Sequence, residues 1–342
     1  MGFNINGSMK DQIAFVFPGQ GSQSIGMMNS FRKLPIVNEV IEESSDILNE
    51  NLFRLIDNGP EEKLNLTTNT QPVMLVCSLA IWKLFLSNCP SCIPGYFAGH
   101  SLGEYSALTA ANAFTLTEVV GLVRYRADIM QSVTSPGDCG MAAVIGLNLE
   151  LIQRICKEVN DRVLLNKAKQ EFSKIVEVAN INSDKQIVLS GAQEALDATI
   201  EKLKKLGENV RIVQLPVSAP FHSSILMPIE GLLAKKLELL NIQKPQIPTL
   251  GNYHAEVYES VEEIRSILPK QAYSVVQWKA SIDKMLRLGV SVFIECGPGK
   301  VLSGLIRQIN RRVKVLSLRD YDSFSETVEY LEKVTDCWMP IH

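Results

Sequence analysis

Residues 98–105 read AGHSLGEY, and this stretch decides how the surrounding chain folds. An apolar run at 93–97 comes before it, and a helix-like sequence, SALTAANAF, follows. Ser101 lies between Gly99 and Gly103, and glycines at these positions leave room for a very sharp turn from a strand into a helix. Such a turn exposes the serine hydroxyl at a helix N-terminus, where N–H groups favour negative charge. An ordinary turn whose serine caps the helix gives the same pattern, so both interpretations stay open at this point.

The alternation of strand and helix continues on both sides of this turn. QIAFVF at 12–17 has the pattern of a buried strand and runs into a glycine-rich turn at 18–23. Helical patterns follow, and near the end of the chain a strand pattern at 290–297 leads into a helix at 301–309. Such alternation predicts a parallel sheet covered by helices, so the expected fold class is α/β.

The middle of the chain has a different order of elements. Patterns of strand, helix, strand, strand, helix and strand follow one another at 141–146, 148–159, 174–180, 186–191, 192–207 and 209–217. This is the order of a ferredoxin-like unit. We therefore expect a discontinuous core at 9–137 and 216–330 with an inserted small subdomain at 138–215. Residues 1–8 are expected to be a leader or disordered, and they receive no role.

Composition argues against several classes of protein. The chain has 342 residues, of which 46% are hydrophobic, and its net charge of −3 gives no reason to expect a nucleic-acid partner. The seven cysteines are odd in number and scattered, so neither a disulfide framework nor a metal site is expected, although Cys89 and Cys92 form a C-x₂-C pair. The apolar run at 72–86 contains Lys83 and predicts a buried helix, not a membrane span. We expect a cytoplasmic protein that needs no state beyond a monomer.

A nucleophilic serine needs a neighbouring base, and the chain has four histidines. His100 is adjacent to Ser101 on a tight turn and should point elsewhere. His254 lies in a polar stretch and should be exposed, and His342 is the last residue. His222 follows the last strand of the inserted unit and precedes a helix, so it can be aimed across a cleft. It is the preferred base, and a histidine that merely begins a helix is the alternative.

The stretch TLTEVVGLVRYRADIMQSV at 115–133 predicts a helix that opens with a capping box. At about 100° per residue, Arg126 falls in the middle of the apolar face. Arg124 falls on the opposite side, where Asp128 can pair with it at i,i+4. An arginine on a core-facing stripe is costly to bury without an anion. Either an internal carboxylate or the carboxylate of a ligand can supply that anion, and both possibilities stay open.

A tetrahedral oxyanion beside the serine would need two N–H donors. Leu102, the residue after Ser101, can offer one, and Gln20 in the glycine-rich turn at 18–23 can offer the other. Phosphate binding is the rival interpretation of this turn. The turn lacks the spacing of the known phosphate-binding loops, and so does GPGK at 297–300, which we interpret as a tight strand-to-helix turn.

Several motifs occur together and in one order along the chain. They are FPGQGSQ at 17–23, TQPV at 70–73, GHSLGEYSAL at 99–108, RYRADIMQ at 124–131, GMAAVIGL at 140–147, NINS at 180–183, VSAPFHS at 217–223, VVQW at 275–278 and GPGKVLSGL at 297–305. In this combination the chain resembles the malonyl-CoA:acyl-carrier-protein transacylase family, the acyltransferases of fatty acid and polyketide synthesis, over residues 12–320.

The resemblance implies an α/β-hydrolase-like core with a ferredoxin-like insertion. It implies Ser101 as the nucleophile and His222 as the base. It implies the remaining site residues as well: the backbone N–H groups of Gln20 and Leu102 as oxyanion donors, Arg126 on the malonyl carboxylate, the main-chain carbonyl of Gln271 as the group that orients the histidine, and His100, Asn180 and Phe221 as pocket residues. Bulk at Phe221 is expected to disfavour an α-methyl group on the acyl chain.

The implied reaction is ping-pong transfer of malonyl from malonyl-CoA, through a serine ester, to the phosphopantetheine thiol of an acyl carrier protein, with no bound cofactor or metal. A free-standing acyltransferase of polyketide synthesis and an acyl hydrolase of the same fold are the alternatives. A non-catalytic module that docks on a carrier protein is a third. Arg126 argues against a hydrolase, because a lipase has no need of a buried cation in its acyl pocket. The segment at 161–173 looks longer than is usual in the family, and its role is left open.

Overall fold

The computed structural model describes residues 12–135, 137–165, 175–207, 210–217 and 219–334. Their strands form two separate sheets, one with five parallel strands and one with four antiparallel strands. The α/β fold class predicted from the sequence is therefore confirmed. The predicted leader at 1–8 lies outside the described residues.

The parallel sheet forms the centre of the larger part of the molecule. It consists of β1 (Ile13–Phe17), β2 (Tyr96–Gly99), β7 (Thr249–Leu250), β8 (Val292–Glu295) and β9 (Lys314–Ser317). In space the order is β7-β2-β1-β8-β9, and every neighbouring pair is parallel. All residues of the central strand β1 are buried, as expected of a strand that is covered on both faces.

Alternate side chains of β1 enter two different cores. Phe15 and Phe17 belong to the larger apolar cluster, where the rings of Phe15 and Trp82 lie 5.1 Å apart. Ala14 and Val16 belong to a second cluster on the opposite face. Eleven α-helices surround this sheet in the described part of the chain: α1 (Pro35–Leu48), α2 (Leu52–Asn58), α3 (Glu61–Leu64), α4 (Thr67–Asn88), α5 (Gly103–Ala110), α6 (Leu116–Ser132), α9 (Glu230–Glu238), α10 (Val261–Gln271), α11 (Trp278–Arg287), α12 (Val301–Ile309) and α13 (Tyr321–Val334).

Helix α4 is buried over most of its length. It is long and apolar enough to cross a membrane, but 83% of its most apolar window is buried inside the protein. It packs between α1 and α6. This burial agrees with the core helix that the sequence predicts at 72–86.

The antiparallel sheet is built from one continuous region of the chain. Its elements are β3 (Cys139–Ile145), α7 (Leu149–Leu165), β4 (Val176–Ser183), β5 (Gln186–Ala192), α8 (Gln193–Lys204) and β6 (Arg211–Leu215). The strand order is β4-β5-β3-β6, and α7 and α8 pack on one face around a separate apolar cluster. The observed β-α-β-β-α-β order is the one that the sequence predicts.

The two sheets are joined beside the end of β2. The backbone of Val276 bonds to β4 in both directions, with Ile181 N donating to Val276 O at 3.0 Å and Val276 N donating to Ala179 O at 2.8 Å. His100 and Asn182 add a side-chain bond of 2.8 Å across the same junction. A cleft between the sheets therefore opens directly over the turn that contains Ser101.

Three element boundaries differ from those expected. The helix expected after His222 begins as a 3₁₀ helix, Ser224–Ile229, and is α-helical only over Glu230–Glu238. Pro228 lies inside the 3₁₀ part and has no N–H to donate to an α-helical bond. Helix α7 continues to Leu165, into the segment at 161–173 that is expected to be long, and the rest of that segment, 166–173, lies outside the described residues. Helix α13 reaches Val334, the last described residue, and so extends past the expected core limit at 330.

Candidate active site

Ser101 sits on a strained turn between β2 and α5. Its φ is +53°, a left-handed conformation that non-glycine residues rarely adopt. The flanking glycines are required by close packing: a Cβ on Gly99 would lie 1.9 Å from the backbone of Gly103, and a Cβ on Gly103 would lie 1.9 Å from Phe17 O. The geometry is that of a nucleophile elbow, and it favours this interpretation over an ordinary capped turn.

Two amide side chains hold the elbow in this conformation. Asn252 accepts from Ser101 N at 2.6 Å through Oδ1 and donates to Gly99 O at 2.6 Å through Nδ2. Gln271 Nε2 donates to Ser101 O at 2.6 Å. Asn252 has no recognisable signal in the sequence, because it lies 151 residues from Ser101 in a turn without any periodic pattern. Only the fold brings it to the elbow.

His222 contacts the serine hydroxyl directly. Its Nε2 lies 2.7 Å from Ser101 Oγ, and its Nδ1 lies 2.9 Å from Gln271 O and 3.1 Å from Ser274 O. Both Nδ1 partners are main-chain carbonyls, which only accept, so the ring proton sits on Nδ1 and Nε2 is free to accept from the serine. The sequence reasoning had no signal for Ser274, because a main-chain carbonyl leaves no trace in the residue type.

Burial keeps the His222 ring neutral. Desolvation lowers its pKa to about 3, the charges of Arg126 and His100 add to the effect, and the bonds to Gln271 O and Ser274 O oppose it. A neutral imidazole with a free Nε2 lone pair, in hydrogen-bond contact with a hydroxyl, is the arrangement of a general base.

Arg126 is a buried cation that no carboxylate neutralises. Its side chain is 1% exposed, and no ion pair includes it among the described residues. Its Nη1 donates to Gln71 Oε1 at 2.5 Å and its Nη2 donates to Gln271 Oε1 at 2.9 Å, and both acceptors are neutral amides. Nη2 also lies 3.4 Å from Ser101 Oγ. An internal carboxylate was one of the two anions considered for Arg126. Among the described residues, no carboxylate is in contact with it.

Arg124, two residues earlier, has an ordinary surface partner. Its Nη1 and Nη2 donate to the two carboxylate oxygens of Glu50, both at 2.8 Å. The predicted pairing with Asp128 at i,i+4 is wrong. Glu50 follows the end of α1, which lies against α6, and from there it meets the planar guanidinium with both oxygens.

The glycine-rich turn at 18–23 packs against the elbow. A Cβ on Gly19 would lie 2.5 Å from His100 O and 3.6 Å from Leu102 N, so this turn can approach only because the residue is glycine. The Gln20 side chain donates to Thr67 Oγ1 at 3.3 Å, and Gln20 lines the cavity. Gln20 and Leu102, whose backbones are expected to supply the oxyanion donors, both line the cavity that contains Ser101.

A cavity of about 260 Å³ between the two sheets collects the predicted residues. Its lining includes Gln20, His100, Ser101, Leu102, Arg126, Asn180, Phe221 and His222. Gln271 lies behind this wall and is 1% exposed. A second cavity of about 690 Å³, between α7 and the core, reaches His222 but neither the serine nor the arginine. Among the described residues, no cluster of histidine, cysteine and carboxylate side chains could hold a metal ion.

The other two histidines among the described residues, His100 and His254, do not bond to the serine hydroxyl. His100 lines the cavity, bonds Asn182 Oδ1 at 2.8 Å and packs 5.4 Å from the ring of Trp278, and burial lowers its pKa. His254, which the sequence suggested is exposed, is partly buried and bonds Glu263 at 3.1 Å. His342 lies outside the described residues.

Comparison with known proteins agrees with this geometry. The family model of the acyl transferase domain matches residues 14–318. The malonyl CoA-acyl carrier protein transacylase of Bacillus subtilis is 37% identical over 326 residues, which cover 95% of this chain and 99% of the relative. The crystal structure of the acyl-carrier-protein S-malonyltransferase of Burkholderia pseudomallei has a TM-score of 0.86 and 38% identity, covering 93% of this chain and 99% of that one.

A further solved structure contains a carrier protein. It is a malonyl-transacylase in complex with a type II polyketide synthase acyl-carrier protein, with a TM-score of 0.87 and 36% identity over 93% of this chain and 99% of that one. The family match covers most of the chain, and the curated and structural relatives cover almost all of it. This chain therefore belongs to the acyl transferase domain family.

Proposed function

We propose that this chain transfers malonyl from malonyl-CoA to the phosphopantetheine thiol of an acyl carrier protein, through a malonyl ester on Ser101. The observation that carries the proposal is Arg126, a buried guanidinium that is held by two neutral amides and lies 3.4 Å from the nucleophile. A planar cation kept without a counter-ion beside an acyl-accepting serine suits an acyl group that carries its own carboxylate. The names of the relatives support the same substrate.

In the first half-reaction Ser101 Oγ attacks the thioester carbonyl while His222 Nε2 takes the hydroxyl proton. The backbone N–H groups of Gln20 and Leu102 bind the tetrahedral oxyanion. The carbonyls of Gln271 and Ser274 stabilise the imidazolium that forms, since both face Nδ1. The imidazolium then gives its proton to the departing CoA thiolate, and the malonyl ester stays on the serine with its carboxylate on Arg126.

In the second half-reaction the phosphopantetheine thiol takes the place that CoA has left. His222 removes its proton, the thiolate attacks the serine ester, and the serine alkoxide recovers the proton from the imidazolium. This ping-pong order uses only the groups of the cavity, and it requires neither a metal nor a bound cofactor. A thiol as the acceptor of the malonyl group makes the enzyme a transferase, and water as the acceptor makes it a hydrolase.

Phe221 is proposed to select malonyl over methylmalonyl. It lines the cavity next to His222 and is 8% exposed. A single methyl group in an apolar pocket changes binding by only about 1–3 kcal/mol, so the selection is a preference. We expect methylmalonyl-CoA to have the lower kcat/KM, and equal values would contradict this role.

The proposal extends to the wider context of the protein. The elements from Cys139 to Leu215 build the antiparallel sheet, which supports a core of 9–137 and 216–330 with an inserted subdomain at 138–215. Asn180, on β4, would line the cleft from the side of this subdomain. The protein is proposed to act as a cytoplasmic monomer with an acyl carrier protein as its partner, in fatty acid synthesis or in a polyketide line.

Intact-protein mass spectrometry tests the proposed function. Wild type mixed with malonyl-CoA should gain one malonyl group, and Ser101→Ala should gain none. Addition of a carrier protein that bears phosphopantetheine should move the malonyl group to that protein. Free malonate and CoA without an adduct on either protein would mean that water is the acceptor, and the hydrolase would then replace the transferase.

A further inference from the structure

A buried carboxylate lies directly behind the site and has no part in the mechanism above. Glu104 is three residues after Ser101, in the first turn of α5, and it is 0% exposed. Its Oε1 accepts from the Tyr258 hydroxyl at 2.5 Å, and its Oε2 accepts from Asn252 N at 3.1 Å and from Gln271 Nε2 at 3.0 Å. Three donors thus converge on this side chain, and no ion pair includes it among the described residues.

Burial and hydrogen bonding act on this carboxylate in opposite directions. Desolvation raises the pKa of Glu104, while the bonds from Tyr258, Gln271 and Asn252 lower it. A carboxylate can accept at both oxygens, and each of its oxygens here faces at least one donor. Burial is the larger effect and raises the pKa of Glu104, but Oε2 faces two N–H donors and is therefore an acceptor towards Gln271 in either protonation state.

Glu104 determines which way the Gln271 amide faces. The Nε2 of Gln271 donates to Glu104 and to Ser101 O, and its Oε1 accepts from Arg126. A reversed amide would direct its NH₂ group at the guanidinium and its oxygen at the carboxylate and at the Ser101 carbonyl. Each of these contacts would be repulsive. The oxygens of Glu104 and Ser101 therefore hold the Gln271 NH₂ group on their side, and this leaves Oε1 facing Arg126.

The amide also separates two charges that would otherwise neutralise each other. Burial lowers the pKa of Arg126, and Tyr105 and, to a smaller extent, the charge of the buried Glu104 act against this effect. Among the described side chains, the neutral Gln271 is the one that is hydrogen-bonded to both of them. The charge of Glu104 thus offsets part of the free-energy cost of burying Arg126, although Glu104 takes none of the N–H groups of the guanidinium.

We propose that Glu104 is a positioning residue of the acyl-binding site: its carboxylate fixes the Gln271 amide, and that amide holds Arg126 in place with its charge left free for the substrate carboxylate. This inference rests on the function proposed above and deepens it. Glu104 touches neither the substrate nor the reacting atoms, so its effect falls on the choice of acyl group more than on the chemistry at Ser101.

The test compares kcat/KM for malonyl-CoA with that for acetyl-CoA, which lacks the carboxylate. Glu104→Met removes the acceptor at similar length, and we expect the malonyl-to-acetyl ratio to fall by about tenfold or more. Glu104→Gln keeps an oxygen for Gln271 and Asn252, and the Tyr258 hydroxyl can turn to accept from the new amide. This conservative variant should keep the ratio within about threefold of wild type.

Tyr258→Phe is the matched control. It removes one donor to Glu104 but leaves the bond between Glu104 and Gln271, so the ratio should again stay within about threefold. If a folded Glu104→Met protein loses activity equally with both substrates, Glu104 is a structural element only and the inference is overturned. Thermal unfolding of each variant shows which of them are folded.

If Glu104→Met does not fold, Gln271→Met decides the question. It removes the amide but keeps the main-chain carbonyl that contacts His222. The same fall in the ratio would support the inference, and an unchanged ratio would overturn it. A wild type without any preference for malonyl-CoA would instead overturn the proposed function and, with it, the inference.

Discussion

Arg124 and Arg126 lie two residues apart on α6, and their surroundings differ in every respect. Arg124 meets both carboxylate oxygens of Glu50 at 2.8 Å on the outer face of the helix. Arg126 points into the protein, where it is 1% exposed, bonds to the amides of Gln71 and Gln271, lies 3.4 Å from the hydroxyl of Ser101 and lies over the ring of Tyr105. One cation has its counter-ion, and the other is held in position without one.

This difference shows how the fold keeps a charge available. A surface ion pair such as Arg124–Glu50 contributes only about 0–1 kcal/mol to stability, so a protein can gain or lose one with little consequence. A buried guanidinium with a carboxylate partner would be satisfied and unreactive. Neutral amide acceptors satisfy part of the hydrogen bonding of Arg126 and leave its charge for a ligand. Substitutions at Arg126's partners and at Arg124 can therefore test the two environments separately.

The largest effect is expected from Gln71→Glu, which gives Arg126 the kind of partner that Arg124 has. The new carboxylate would neutralise the guanidinium and repel the malonyl carboxylate in a buried site. We expect kcat/KM for malonyl-CoA to fall by about 10²-fold or more, since uncompensated or competing buried charges are worth several kcal/mol. Gln243→Glu, on the exposed surface, adds the same charge and serves as the control. Equal activity of the two variants would contradict the role of a free charge.

The pH dependence of stability tests the buried site that contains Arg126, because His222 lies in the same site. Its folded pKa of about 3 lies below the unfolded value near 6.5, so the unfolded chain binds more protons between these values and stability is lost as the pH falls below about 6.5. Between pH 7 and pH 5 we expect wild type to lose about 2 kcal/mol more free energy of unfolding than His222→Asn. Urea unfolding at the two pH values measures this difference. An identical pH dependence of the two proteins would show that the ring is not held neutral.

The smallest effect is expected from Arg124→Ala on the surface side. Removal of the pair with Glu50 should change the free energy of unfolding by about 1 kcal/mol or less. The kcat/KM for malonyl-CoA should stay within about twofold of wild type, because Arg124 does not line the cavity. A loss of activity as large as that of Gln71→Glu would contradict this account. Activity would then depend on an arginine that already has a counter-ion, and the lack of a counter-ion would not distinguish Arg126 from Arg124.

Helical periodicity predicted much of this contrast, because it depends on local spacing. It placed Arg126 on the buried face and Arg124 on the outer face, and the two glycines around Ser101 indicated the sharp turn. It could not predict the partners. Gln71 and Gln271 lie 55 and 145 residues from Arg126, and Glu50 lies 74 residues from Arg124. Contacts at such separations are created by packing.

The same limit explains the residues that were missed. Asn252 and Glu104 do not belong to any spacing pattern that indicates a catalytic role. They matter because the fold brings both of them to the elbow. The acceptors for His222 Nδ1 are main-chain carbonyls, which any sequence can supply. Only the resemblance to a known family pointed to Gln271 in advance.

The most direct test of the free charge on Arg126 is the mass of the acyl-enzyme formed by Arg126→Ala with malonyl-CoA and, separately, with acetyl-CoA. The account predicts that the variant loses the malonyl adduct seen in wild type but still gains an acetyl group, because Ser101, His222 and the oxyanion donors are unchanged. A variant that still accumulates the malonyl adduct as fast as wild type would contradict the account, since the buried cation would then have no part in choosing the acyl group.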